Sequence, residues 1–220
     1  MTRAILLDLD GTIIDSDPLH AAVFVELLAK YGRQVDEAFY FTDVHGRQNV
    51  DIFTELLPGE DPQAMSEMKE AMYRARLAAI DARPIAGLPG LLDRAAAAGI
   101  PVGLVTNAPR LNADAVLSAL GLSDRFATLV IGDECARGKP DPLPYTTGLA
   151  NLGVAPDQAF AVEDSPSGIV AARAAGIYTL GIMSSLTSDA LIGAGADETI
   201  SDFNDTAVQI QLDRLTGADQ

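Results

Sequence analysis

Ala4-Ile5-Leu6-Leu7-Asp8-Leu9-Asp10-Gly11-Thr12 is an apolar run that closes on two carboxylates two residues apart and then turns. Side chains i and i+2 of a strand share a face, so a strand here sets Asp8 and Asp10 side by side at its carboxyl end. Gly11 admits a turn that a residue bearing a Cβ resists. Two like charges this close repel unless a shared proton or a cation relieves them. A hard cation with oxygen ligands, most simply Mg²⁺, fits that need. The competing reading is a strand end whose aspartates cap the next turn.

Outward from that stretch the chain changes character twice. Residues 17–83 read as helices. Pro18 sits in a first turn, Leu19, Val23, Leu27 and Leu28 mark one face, and Tyr31-Gly32 ends the helix. Met65, Met68, Met72, Ala75 and Ala79 recur at steps of three and four, which predicts an amphipathic helix with this stripe in the core. From Ile85 onward, apolar runs at Pro101–Val105, Thr128–Ile131, Ala159–Val162 and Tyr178–Gly181 alternate with helical segments. Asp141-Pro142 and Ser165-Pro166 read as N-caps followed by proline at the first helical position. Alternation of this kind predicts an α/β fold, a doubly wound parallel sheet covered on both faces. The first strand joins that sheet. Residues 1–16 and 84–220 then form a Rossmann-like core, and residues 17–83 a helical insertion. The tail, residues 217–220, is expected to fray.

Composition sets outer limits. The 220 residues carry a net charge of −16, which argues against nucleic acid or an anionic membrane surface as partner. Any site for an anion must be built locally, from a metal, a few cations and backbone N–H groups. A single cysteine, Cys135, forbids an intrachain disulfide. Met1-Thr2-Arg3 leads straight into the first strand, with no resemblance to a signal peptide, and the reading is cytoplasmic. Oligomeric state leaves no mark on the sequence.

Ligands of open α/β sheets gather outside the carboxyl ends of the strands. Those ends carry Asp8 and Asp10, then Thr106-Asn107, then a loop with Gly138-Lys139-Pro140, then Glu163-Asp164. Each has an ordinary explanation alone, as a cap, a solvated charge or a turn. Together they place four acids, a hydroxyl, an amide and a lysine at one edge of one sheet.

With Asp8-Leu9-Asp10-Gly11-Thr12, Thr106-Asn107, Gly138-Lys139-Pro140 and Glu163-Asp164-Ser165-Pro166-Ser167-Gly168 in this order, the chain resembles the haloacid dehalogenase superfamily, in the branch with a helical cap after the first strand. The resemblance implies phosphoryl transfer through an aspartyl-phosphate. It casts Asp8 as nucleophile and Asp10 as general acid and base. It implies Mg²⁺ held by Asp8, the Asp10 carbonyl, Glu163 and Asp164, with Thr106, Asn107 and Lys139 binding the phosphate. Many relatives carry the second metal-site carboxylate where this chain has Gly168, and Glu163 stands in for it, directly or through water. Asp10 argues against dehalogenation, which needs no acid for a leaving alkoxide. The expected substrate is a small phosphorylated metabolite such as a sugar phosphate or phosphoglycolate.

A β-phosphoglucomutase-like sugar phosphomutase is the alternative. His20 matches the histidine in the cap of such enzymes, and His45-Gly46-Arg47 approximates their glycine–arginine region. The cap residues His20, Gly46 and Arg47 are accordingly expected to meet substrate. Those mutases follow the second motif with Ser-Lys-Asn, however, where this chain has Ala108-Pro109-Arg110. A phosphoacceptor signalling module is a more distant possibility, since it places its aspartate on a later strand and has no inserted cap.

Overall fold

The structure, a computed structural model, describes residues 3–216. The tail at residues 217–220 lies outside them. In chain order the elements are β1 (Ala4–Leu7), α1 (Asp17–Lys30), α2 (Glu37–Phe39) running into a π-helical turn (Tyr40–Val44), α3 (Asn49–Leu56), α4 (Pro62–Leu77) and α5 (Leu88–Ala97). They continue with β2 (Val102–Thr106), α6 (Arg110–Ala119), β3 (Thr128–Ile131), α7 (Leu143–Leu152), β4 (Ala159–Glu163), α8 (Pro166–Ala174), β5 (Tyr178–Ile182), α9 (Ser188–Ala194), β6 (Glu198–Ile200) and α10 (Thr206–Thr216). Two compact units result, one made of the chain up to Asp15 together with the chain from Arg83 onward, the other of Ser16–Ala82.

The first unit holds a six-stranded sheet in the order β3-β2-β1-β4-β5-β6, with every pairing parallel. β1 is central because it is apolar at every position, as a strand covered on both faces requires. Leu7 lies opposite Leu104 on one side and Val162 on the other. The chain builds outward through β2 and β3, then returns to the far side of β1 with β4. That reversal opens a crevice at the carboxyl ends of β1 and β4, where ligands of such sheets bind. One core cluster packs Ala4, Leu6, Val105 and Ala161 from the strands, with Ile177 just before β5, against Tyr145, Leu149, Ala171 and Ala172 from α7 and α8.

Helix boundaries follow local chemistry. Ser165 caps α8 by accepting the Gly168 N–H, with Pro166 opening the first turn. α7 starts one residue later than the Asp141-Pro142 reading placed it. Pro142 holds the cap position, and the Asp141 carboxylate accepts the Leu143 N–H at 2.9 Å. β6 was not anticipated. It is three residues long and opens on an exposed glutamate, too short for an alternation to register.

The second unit is helical, with a core of Phe24, Leu27, Leu28, Tyr40, Ile52, Phe53 and Met65. In its α4 the methionine stripe holds only in part, with Met65 buried and Met72 packed against the core. Met68 is 43% exposed, and the inward row runs Met65, Lys69, Tyr73, Leu77 at steps of four. A lysine takes the place that an apolar residue was expected to fill because Glu70 pairs with it at 2.9 Å. Among the described residues, no helix is long and apolar enough to cross a membrane.

Candidate active site

Asp8 is the first residue beyond β1, and its N–H continues the ladder to the Val162 carbonyl at 3.1 Å. The backbone therefore fixes where its carboxylate stands. Two residues on, Asp10 bridges to Ile14, and the Gly11 N–H donates to the Ile14 carbonyl at 2.8 Å. Gly11 has φ +71°, and a Cβ there would come within 1.9 Å of Asp164 Oδ2. The turn after β1 is thus tight because a carboxylate from the end of β4 packs on its backbone.

Lys139 comes from the loop after β3 and is buried. Its ammonium donates to Asp8 Oδ1 at 2.5 Å, to Glu163 Oε1 at 2.6 Å and to the Val105 carbonyl at 2.7 Å. All three of its hydrogens have acceptors. Asn107 holds the same residue by its main chain, taking the Lys139 N–H on Oδ1 at 3.0 Å and giving an Nδ2 hydrogen to its carbonyl at 3.1 Å. The Lys139–Pro140 peptide is cis. Thr106 ends β2 with its hydroxyl buried. Oγ1 accepts the Ala108 N–H at 2.9 Å, which leaves the hydroxyl hydrogen to a further acceptor.

Glu163 closes β4 and is fully buried. Oε1 accepts from Lys139 and from the Tyr145 hydroxyl at 2.8 Å, while Oε2 faces the Ser165 hydroxyl at 3.2 Å. Gly168 makes room for it, since a Cβ there would lie within 2.1 Å of both carboxylate oxygens. Asp164 is also buried, and its Oδ2 accepts from the Ser184 hydroxyl at 3.2 Å.

Asp8, Glu163 and Asp164 each present one carboxylate oxygen to a common space, with these atoms all within 4.8 Å of one another. Three buried oxygen donors of one charge suit a hard divalent cation such as Mg²⁺. The electrostatics agree. Burial pushes the Asp8 carboxyl up to about 7, with the Lys139 charge opposing and the Glu163 and Asp10 charges adding to the rise. Burial works against the Lys139 ammonium, but Asp8 and Glu163 outweigh it and hold the amine protonated.

Of the residues expected from the sequence, Asp8, Lys139, Glu163 and, through Lys139, Asn107 are joined in one hydrogen-bonded network, and Asp164 stands beside it in the carboxylate cluster. Thr106 and Asp10 stand at the same strand ends. His20, Gly46 and Arg47 lie in the helical unit. There His20 Nδ1 meets the Lys69 ammonium at 2.9 Å, and the imidazole stacks on Tyr73 with centroids 4.1 Å apart. The Arg47 guanidinium pairs with Glu55 at 2.7 Å and with the Asp43 carbonyl at 2.8 Å. Gly46 has φ +78° with open space around it.

Tyr145, Ser184 and the buried Lys69–Glu70 pair escaped sequence reasoning. Ser184 was within reach, since it follows β5 and the strand-end rule applies there as well. Tyr145 carried no signal, because a tyrosine in an amphipathic helix reads as core.

Comparison with known proteins places these motifs. Residues 2–176 match the haloacid dehalogenase-like hydrolase family. The chain is 31% identical over 207 residues to validoxylamine A 7'-phosphate phosphatase of Streptomyces hygroscopicus subsp. limoneus, covering 93% of this chain and 96% of that one. It is 35% identical over 181 residues to a phosphoglycolate phosphatase of Xylella fastidiosa, covering 81% and 79%. Among solved structures, a mutant of CbbY from Rhodobacter sphaeroides in complex with xylulose-(1,5)bisphosphate aligns with a TM-score of 0.79 at 26% identity, over 92% of this chain and 95% of that one. The strand-end carboxylates, the buried lysine and this kinship lead to one conclusion: the chain belongs to the haloacid dehalogenase-like hydrolase family and is an enzyme of the phosphatase kind.

Proposed function

We propose that this enzyme is a Mg²⁺-dependent phosphomonoester hydrolase that works through an aspartyl-phosphate on Asp8, with a small phosphorylated metabolite such as a sugar phosphate or phosphoglycolate as substrate. The observation that carries the reading is the Lys139 ammonium shared between Asp8 and Glu163 beside the Asp8–Glu163–Asp164 cluster. The names of the relatives support the substrate class, since both denote phosphatases of small phosphorylated compounds.

Asp8 attacks phosphorus with a carboxylate oxygen, the bond from phosphorus to the ester oxygen breaks, and Asp10 protonates the departing alkoxide. Asp10 then takes a proton from water as that water attacks the phosphorus of the acyl phosphate, which releases inorganic phosphate and restores Asp8. Once phosphorylated, the Asp8 carboxyl no longer carries its own charge, so the hydrogen bond from Lys139 passes to phosphoryl oxygens. The Thr106 hydroxyl and the remaining amide hydrogen of Asn107 take others. Asp8, the Asp10 carbonyl, Asp164 and Glu163 are the groups assigned to Mg²⁺, with Glu163 acting directly or through water. When bound, the ion offsets the repulsion between carboxylate nucleophile and phosphate dianion.

We assign residues 1–16 and 84–220 to the catalytic core and residues 17–83 to a cap. His20, Gly46 and Arg47 of the cap are assigned to substrate recognition, and the setting to the cytoplasm. A screen of phosphorylated metabolites for Mg²⁺-dependent phosphate release tests the proposal. It includes β-glucose 1-phosphate with a trace of the 1,6-bisphosphate. Free phosphate as the product supports hydrolysis. Glucose 6-phosphate accumulating faster than phosphate would establish a phosphomutase instead.

A further inference from the structure

Tyr145 lies near the start of α7, fully buried among Leu6, Val105 and Ala161. Packing alone would be served by phenylalanine, yet a buried phenol needs a hydrogen-bond partner. The partner is Glu163 Oε1, at 2.8 Å, the same oxygen that accepts the Lys139 ammonium at 2.6 Å. The aromatic ring also touches that ammonium, with Nζ 5.2 Å from the ring centroid. One side chain outside the motifs therefore contacts both members of the central ion pair. Glu163 is pinned from its other side by Ser165 and by the absence of a side chain at Gly168. Burial together with the neighbouring Glu163 charge raises the phenol well above its ordinary value, so it remains a donor.

We propose that Tyr145 is a positioning residue for Lys139: by donating to Glu163 Oε1 it divides that oxygen between two donors and keeps the ammonium shared with Asp8. Without the hydroxyl, Lys139 is the sole donor to Oε1. The carboxylate draws the ammonium closer and weakens its hold on Asp8 and on whatever Asp8 carries. The ring supports the ammonium in either case, so Tyr145→Phe isolates the hydroxyl.

This inference rests on the catalytic role given to Lys139, and Lys139→Ala tests that role by itself. With para-nitrophenyl phosphate as probe, Tyr145→Phe should lower kcat about tenfold and leave KM within about twofold. The Mg²⁺ concentration for half-maximal rate should also stay within about twofold. Glu163→Gln removes the charge that pulls on Lys139. In that background Tyr145→Phe should change kcat by less than about twofold, the non-additivity expected of residues acting through one another. A Tyr145→Phe enzyme with wild-type kcat overturns the proposal, as does full additivity with Glu163→Gln. A large change in the Mg²⁺ requirement overturns it too, because the tyrosine would then act on the metal site. If Lys139→Ala keeps wild-type activity, the role of Lys139 fails and this inference falls with it. An inactive Lys139→Ala beside an unimpaired Tyr145→Phe fails the inference alone.

Discussion

Asp8 answers to three influences at once: a burial that favours its proton, a lysine that favours its charge, and two acids that oppose that charge. Asp8→Asn keeps the shape of the side chain and removes the proposed nucleophile, so phosphate release should vanish. Asp10→Asn should slow the phosphorylation of Asp8 by an alkyl phosphate about a hundredfold or more, and by para-nitrophenyl phosphate less, since that leaving group needs no proton. Hydrolysis of the acyl phosphate should slow alike for both. Single-turnover release of the alcohol and of para-nitrophenol checks this, because it reads the first step alone. The protonation of Asp8 also has a sign in stability. Its folded value of about 7 exceeds the ordinary 3.8, so between those pH values the unfolded chain has released a proton that the folded one retains. Stability contributed by this group therefore falls as pH rises through that window. A cation held by Asp8, Glu163 and Asp164 competes with the proton. Mg²⁺ should accordingly raise Tm more at pH 8 than at pH 5, measured against chelator. Equal shifts at the two pH values would contradict the assignment of Asp8 to the metal.

At the scale of elements, the helical unit carries its own polar tie. The His45 imidazole, just after the π-helical turn, lies 3.4 Å from the Asp17 carboxylate at the start of α1, and Asp17 also accepts the Tyr40 hydroxyl at 2.7 Å. The hydrogen bond to Asp17 raises the His45 pKa above its ordinary 6.5, with burial opposing. This tie is at full strength below pH 6.5 and is lost as pH rises through the folded value. A ¹H NMR titration should find His45 above 6.5 in the native enzyme and lower in Asp17→Asn. Elements of this size are where sequence and structure part company. Helix ends at Ser165 and Tyr31-Gly32 were legible because capping is local chemistry. The inward face of α4 was not, since a buried Lys69–Glu70 pair cannot be told from a solvated one by periodicity. At the site, Asp8, Lys139, Glu163 and Asp164 were legible because strand ends converge in any sheet of this order. Tyr145 becomes meaningful only when α7 is laid against β1, β2 and β3 and its hydroxyl reaches Glu163 at the end of β4.

For the molecule as a whole, the insertion of Ser16–Ala82 parts β1 from every strand it pairs with. Leu7 finds its neighbours at Leu104 and Val162. Such long-range pairing is slow, because a large loop must close before any contact rewards it. The helical unit, with neighbouring segments packed around Phe24 and Phe53, has no such delay. In refolding followed by pulsed hydrogen exchange, amides of α1 and α4 should gain protection before those of Ile5, Leu6 and Leu7. Simultaneous protection would mean that the two units form as one. During synthesis the same separation leaves an apolar strand waiting on the ribosome. The segment that bears Asp8 emerges before β2 and long before β4, with both hydrogen-bonding edges open. A nascent chain stalled short of residue 159 would hold Asp8 on a half-covered strand, a target for chaperones, and the carboxylate cluster is complete only when synthesis has passed Asp164.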